Sequence, residues 1–296
     1  MTFRLLAPLA VALVAALSAG AMQRRLRPAV STWALTTLAV VAATAVIAGL
    51  LGIVLGVAAE VPWLAEGVGW CHHFHQRNRA VPVLFGPPAI AWLVAVAVRV
   101  TRCRRGYTRH VAQASGGTAL QILESDRPTA YSIPGRPGRL VVSTGMLDRL
   151  RPEEQAVVFA HERSHLAHRH GRFVHVTILA TLVFPPLQRL ATQVRFATER
   201  WADEDAAVHV GDRRLVARAL ARAALVQAGA PPTGALALTG TGVPARVEAL
   251  LAEPTNVRLA QAALGILGTS AVVALASSSV QVHHLVELAD HLCRLG

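Results

Sequence analysis

The sequence predicts a mainly α, polytopic membrane protein with about four transmembrane helices, a mostly helical polar domain between the third and fourth, and a small β element in that domain. Three observations carry this. Of 296 residues, 53% are hydrophobic and only 16% charged, against about 25% charged in a typical soluble domain. Long uncharged runs recur along the chain. The arginines cluster at the ends of those runs, as topology-setting charges do. The balance is 29 basic to 17 acidic residues, net +12, and every basic residue is Arg. A basic chain can bind nucleic acid, but this placement of charge points to a membrane, and no nucleic-acid partner is expected.

A helix needs about 20 mostly apolar residues to cross a bilayer. Residues 5–22 carry no charge over 18 residues, and residues 28–59 carry none over 32, which fits a span within 33–57. Residues 80–98 form a third run and 259–286 a fourth, with only His283 and His284 ionisable near its end. The first run reads as an uncleaved span rather than a signal peptide, because Arg24, Arg25 and Arg27 and another span follow at once. Residues 173–188 are apolar but short and interrupted by Pro185-Pro186, so a buried or membrane-adjacent helix is expected there. The positive-inside rule puts the N-terminus outside, loop 60–79 outside and the arginine-flanked region after the third span in the cytoplasm. The expected domains are an N-terminal membrane domain at 1–100, a cytoplasmic domain at 101–257, and a C-terminal span with a short tail at 258–296.

Within the polar region, residues 119–124, 131–133 and 139–143 are β-type runs. The last two flank Pro134-Gly135-Arg136-Pro137-Gly138, whose paired Pro and Gly mark a turn. A short helix is expected at 146–150. Arg151-Pro152-Glu153-Glu154 then opens a longer one, with Pro early and acids in the first turn. A further helix is expected at 193–210. Another at 213–228 places Arg214, Arg218 and Arg222 four apart, on a face turned to solvent or lipid headgroups. Residues 229–244, rich in Gly, Pro and Thr, read as a loop.

One motif stands above the rest: His161-Glu162-Arg163-Ser164-His165, an H-E-x-x-H. Residues at i and i+4 share a helical face, so both imidazoles can reach one zinc ion. Glu162 then projects toward the open coordination position, where a carboxylate can take a proton from water and pass it to a leaving amine. Zinc requires a third protein ligand. Glu199-Arg200-Trp201-Ala202-Asp203 supplies one in Glu199, with Asp203 four residues on as the acceptor for a ligating imidazole. Glu204 and Asp205 read as surface carboxylates. His168, His170 and His175 read as a polar face beyond the motif, and Cys71-His72-His73-Phe74-His75 as a solvated loop. Cys71, Cys103 and Cys293 are too scattered for a disulfide framework.

The stretch 129–207 resembles the membrane-bound zinc metallopeptidases with an H-E-x-x-H plus Glu site, the BlaR/MecR antirepressor type and the related HtpX and CAAX-prenyl-protease type. The resemblance rests on Ala130-Tyr131-Ser132, on Val141-Val142-Ser143-Thr144-Gly145-Met146-Leu147, and on Glu154. It continues through Phe159-Ala160-His161-Glu162-Arg163-Ser164-His165 to Glu199-x-x-Ala202-Asp203. It implies a zincin-like cytoplasmic protease domain with Glu162 as general base and His161, His165 and Glu199 as zinc ligands. The expected substrate is a protein or peptide, either a membrane protein or, on the resemblance alone, a repressor-like cytoplasmic protein. The HtpX type often has Ser-Arg shortly before its Glu, where this chain has Gln193-Val194-Arg195. The large extracellular sensor of the BlaR/MecR type has no counterpart expected after residue 286. The competing class is a non-catalytic membrane signalling or scaffold protein that keeps a metal site; the intact Glu162 argues against it. A transporter is disfavoured because the runs lack intramembrane charges.

Overall fold

A computed structural model describes residues 26–58, 83–113, 118–135, 138–228 and 242–252. The predicted spans at 5–22 and 259–286 and the His-rich segment at 71–75 lie outside these residues. The elements are α1 (Pro28–Ala58), α2 (Gly86–Gln113, entered through a 3₁₀ turn at Val83–Phe85), β1 (Leu120–Leu123), β2 (Ala130–Ile133), β3 (Arg139–Ser143), α3 (Thr144–Leu147), α4 (Pro152–Ala167), α5 (His170–Val183), α6 (Gln188–Val210), α7 (Arg213–Ala228) and α8 (Val243–Leu251). The chain is mainly helical with one small sheet, as its composition and patterning predict.

Among the described residues one helical stretch, Pro28–Val54 in α1, is long and apolar enough to cross a membrane by length and composition. The predicted count of four spans is therefore not reproduced within them. The helix that contains the expected third span does not stop at residue 98. It continues as α2 through Arg99, Arg102, Arg104, Arg105 and Arg109, and so runs past residue 100, the expected end of the N-terminal domain. Arginine is a good helix former, so charge ends the apolar run without ending the helix. The apolar stretch at 173–188 resolves into α5, a 3₁₀ turn at Pro185–Leu187 and the start of α6.

Those two helices pack directly on the apolar helix. Leu35, Leu38, Ala39, Ala42, Ala43 and Val46 of α1 form one buried cluster with Ala180, Val183, Leu187, Leu190 and Val194. The backbone at the turn after α5 is satisfied from α2: the Trp92 indole donates to the Val183 carbonyl at 3.1 Å, and Pro185 and Pro186 have no N–H to satisfy.

The sheet has the order β1-β3-β2. β2 and β3 are antiparallel, pairing Ala130 with Val142 and Ile133 with Arg139, as the turn at 134–138 predicts. β1 lies parallel to β3, pairing Leu120 with Leu140. β3 is the central strand, and Leu140 and Val142 pack with Met146, Leu150 and Val158, which seats the sheet against α4. Ser143 Oγ accepts hydrogen bonds from the N–H groups of Met146 and Thr129, tying β3 into α3. A Cβ on Gly145 would lie 2.2 Å from the Asp126 carbonyl oxygen. Gly145→Ala should therefore destabilise the fold by about 1–3 kcal/mol through overpacking. Its denaturation midpoint tests this, and an unchanged midpoint would mean that the 125–126 turn yields freely.

α4 starts where its sequence predicts. The Arg151 N–H donates to the Glu154 carboxylate at 2.9 Å, the acidic half of a capping box. Its far side packs on α6 and α7 through Val157, Ala160, Ala206, Val216 and Leu220. The alanines matter, because small side chains let two helices approach closely, and this is what brings α6 against the motif.

Candidate metal centre

α4 and α6 together form the site. His161 Nε2 and His165 Nε2 are 3.1 Å apart, His161 Nε2 is 3.4 Å from Glu199 Oε2, and His165 Nε2 is 3.5 Å from Glu199 Oε1. The structure thus brings together the three residues that the sequence singles out as ligands, as a group that can hold a metal ion. Zinc with bonds of about 2.0–2.1 Å in a tetrahedron sets its donor atoms about 3.3 Å apart, which the separations match. Glu199 Oε2 is buried, with Arg246 Nη1 3.1 Å away as its charge partner. The donor set of two imidazoles and a carboxylate fits zinc chemically.

Glu162 is buried on the same helix, close enough for its charge to act on His165 and on Arg246. Asp203 Oδ1 lies 3.0 Å from His161 Nδ1, so it faces the imidazole nitrogen that points away from Glu199. Asp205 is not simply a surface carboxylate: its Oδ2 accepts from Ser164 Oγ at 2.6 Å and lies 3.0 Å from His168 Nε2. Glu204 pairs with Arg213 through both carboxylate oxygens. His168 stacks on Trp201, and His175 stacks on Tyr107 with 4.0 Å between ring centres. Arg214, Arg218 and Arg222 lie on the exposed face of α7, although Arg222 also donates to the Arg149 carbonyl.

Two residues of the site carry no signal in the sequence. Arg246 of α8 is 1% exposed; its Nε and Nη2 donate to Asp203 at 2.7 and 2.6 Å, and its Nη1 lies 3.1 Å from Glu199 Oε2. A lone arginine just after a Gly/Pro-rich loop announces no such pairing. His170, the second, reads from the sequence as part of a polar face but is buried against His165, 2.9 Å from Nδ1 to Nδ1.

Charge follows from these contacts. Burial disfavours a charged His161, but hydrogen bonds and attraction from Asp203 and Glu199 win, pushing its pKa up to about 10. Burial holds His165 below its ordinary value. Burial pushes the Glu199 carboxyl up, yet His165, His161 and Arg246 together hold it well below the usual range. Asp203 is held low in the same way, chiefly by Arg246. By linkage, the His161 shift from 6.5 to about 10 stabilises the metal-free fold fully below pH 6.5. That contribution fades as the pH rises toward 10. His161 must lose this proton to become a ligand, so zinc binding at pH 8 should release about one proton from it. Calorimetry in two buffers of different ionisation enthalpy reads the number, and zero release would contradict the charge assignment.

Two histidines one helical turn apart, a carboxylate from a neighbouring helix and a glutamate beside the first histidine are the arrangement of metal-dependent peptidases of the H-E-x-x-H class. Residues 101–230 match the family model of peptidase family M48. The match supports a metallopeptidase of that family and covers α4 to α7, with α8 and its Arg246 beyond it. No solved structure matches the chain.

Proposed function

We propose that the chain is an integral membrane zinc metalloendopeptidase that hydrolyses peptide bonds of protein substrates at the cytoplasmic face. The observation that carries the reading is the convergence of His161, His165 and Glu199 within hydrogen-bonding reach, with Glu162 buried beside them. Zinc held there supplies Lewis acidity toward a carbonyl and toward water. Glu162 takes a proton from the attacking water and delivers it to the leaving amine nitrogen. Asp203 holds the Nδ1 proton of His161, which leaves Nε2 free as a ligand. Arg246 offsets the charge of Asp203 and Glu199.

Two features support the membrane setting. α1 has the length and composition of a span. Trp33, Val40 and Leu51 of α1 and Ile90, Trp92, Val94 and Val98 of α2 are exposed, an apolar surface that suits lipid. The arginine-bearing end of α2 lies beside α5, the helix that follows the motif, because Tyr107 stacks on His175. The positive-inside rule therefore favours a cytoplasmic site, with the N-terminus outside. The substrate is a membrane protein or a repressor-like cytoplasmic protein, the second on the resemblance alone. The test is metal content and hydrolysis of an unfolded protein by the detergent-purified chain, wild type against Glu199→Ala. One zinc per wild-type chain, lost in the variant together with hydrolysis, supports the proposal. A zinc-replete wild type without bound metal would refute it.

A further inference from the structure

Each ligating imidazole has a second nitrogen, and what that nitrogen meets decides which tautomer the ring adopts. For His161 the partner is the carboxylate of Asp203. For His165 it is another imidazole, with His170 Nδ1 2.9 Å from His165 Nδ1. The backbone makes this contact possible. Arg169, between α4 and α5, has φ 54°, the only non-glycine among the described residues in the left-handed region. That conformation costs about 1–2 kcal/mol for a residue with a Cβ. The sharp turn lets His170, the first residue of α5, fold back against His165. His170 is 1% exposed. Its Nε2 is buried and has no hydrogen-bond partner among the described residues. Its ring is confined by Trp201 at 4.9 Å and His168 at 5.6 Å between centres.

Two facing Nδ1 atoms at this distance share one proton, because two N–H groups would collide and two lone pairs would repel. If His170 Nδ1 were the donor, a neutral His165 would carry its own proton on Nε2, the atom that faces His161 and Glu199, and could not ligate. We infer that His170 is a positioning residue for the metal centre: its Nδ1 accepts the Nδ1 proton of His165 and fixes the tautomer whose Nε2 lone pair faces the metal. His170 then keeps its own proton on Nε2. The inference rests on the zinc-peptidase reading above. It also gives a reason for an imidazole where a carboxylate is the usual partner. Glu199 and Asp203 already crowd one guanidinium, and a neutral acceptor orients His165 without adding a further negative charge.

The experiment measures zinc affinity of the full chain in detergent by chelator competition, for wild type, His170→Phe and His170→Asn. Asn places a carbonyl oxygen near the Nδ1 position, whereas Phe fills the space and accepts nothing. Loss of such a partner lowers metal affinity by about 10–100-fold. That loss is expected for His170→Phe, with most of the affinity recovered in His170→Asn. Melting of the metal-free proteins separates this effect from a merely structural role, which would lower stability without the Phe–Asn difference in affinity. Nitrogen-15 shifts of the zinc-loaded wild type give a readout that needs no variant. They should show His165 protonated at Nδ1 and His170 at Nε2. Wild-type affinity in His170→Phe, or a His170 proton on Nδ1, would overturn the inference while leaving the zinc site standing. Failure of the wild type to bind zinc would instead overturn the reading on which it rests.

Discussion

Glu162→Gln is expected to keep its zinc and to lose peptide hydrolysis by about 10²–10⁴-fold, the usual contribution of a general acid–base group. The amide has nearly the shape of the carboxylate and occupies the same buried position on α4. It cannot take a proton from water, so the chemical step fails while the ligand set His161, His165 and Glu199 stays intact. Metal analysis and hydrolysis measured on the same preparation separate the two effects. Retained hydrolysis would remove Glu162 from the mechanism. Loss of zinc together with hydrolysis would mean that Glu162 supports the site rather than the chemistry.

The largest effect on stability is expected at Arg246. Its guanidinium is almost fully buried, bonds both oxygens of Asp203 and lies 3.1 Å from Glu199. Arg246→Met keeps much of the volume and removes the charge, leaving two buried carboxylates with one fewer partner. Breaking a buried ion pair from one side costs about 3–5 kcal/mol, and a loss of that size is expected for the metal-free chain. Zinc should restore part of it, since the metal offsets the same carboxylates. Adding Asp203→Asn should recover part of the loss as well, because it removes one of the stranded charges. Denaturation of the metal-free proteins checks this, and a loss below about 1 kcal/mol would mean that water reaches Asp203 in the variant.

What the sequence discloses about this site depends on how local the geometry is. His161, Glu162 and His165 sit one turn apart on one helix, and the helical repeat alone places them together. Glu199 and Asp203 share that regularity on α6, so a second i, i+4 pair suggests their roles, although nothing in the spacing shows how α6 docks. His170 is only five residues past His165, yet it depends on a left-handed arginine that no propensity predicts. Arg246 depends on α8 packing across the ends of two carboxylates, a long-range contact with no local signature. The same division holds for the fold. β3 appears at 139–143 as expected, and its hairpin with β2 follows from the Pro-Gly turn. The parallel partner β1 is set by a non-local pairing. α6 begins at Gln188 rather than 193 because Pro185 and Pro186 end α5 and open the next helix directly. α2 outlasts its apolar run because hydropathy marks where lipid can lie, not where a helix ends.

Arg246 also imposes an order in time. The chain is made from its N-terminus, and Asp203 leaves the ribosome 43 residues before Arg246. Until α8 has followed, the carboxylates of α6 lack the cation that lets them sit buried beside the motif. A nascent chain can thus form α4 and α6 without assembling the finished site. A chain built this way completes the site only once α8 has been made and has packed against α6.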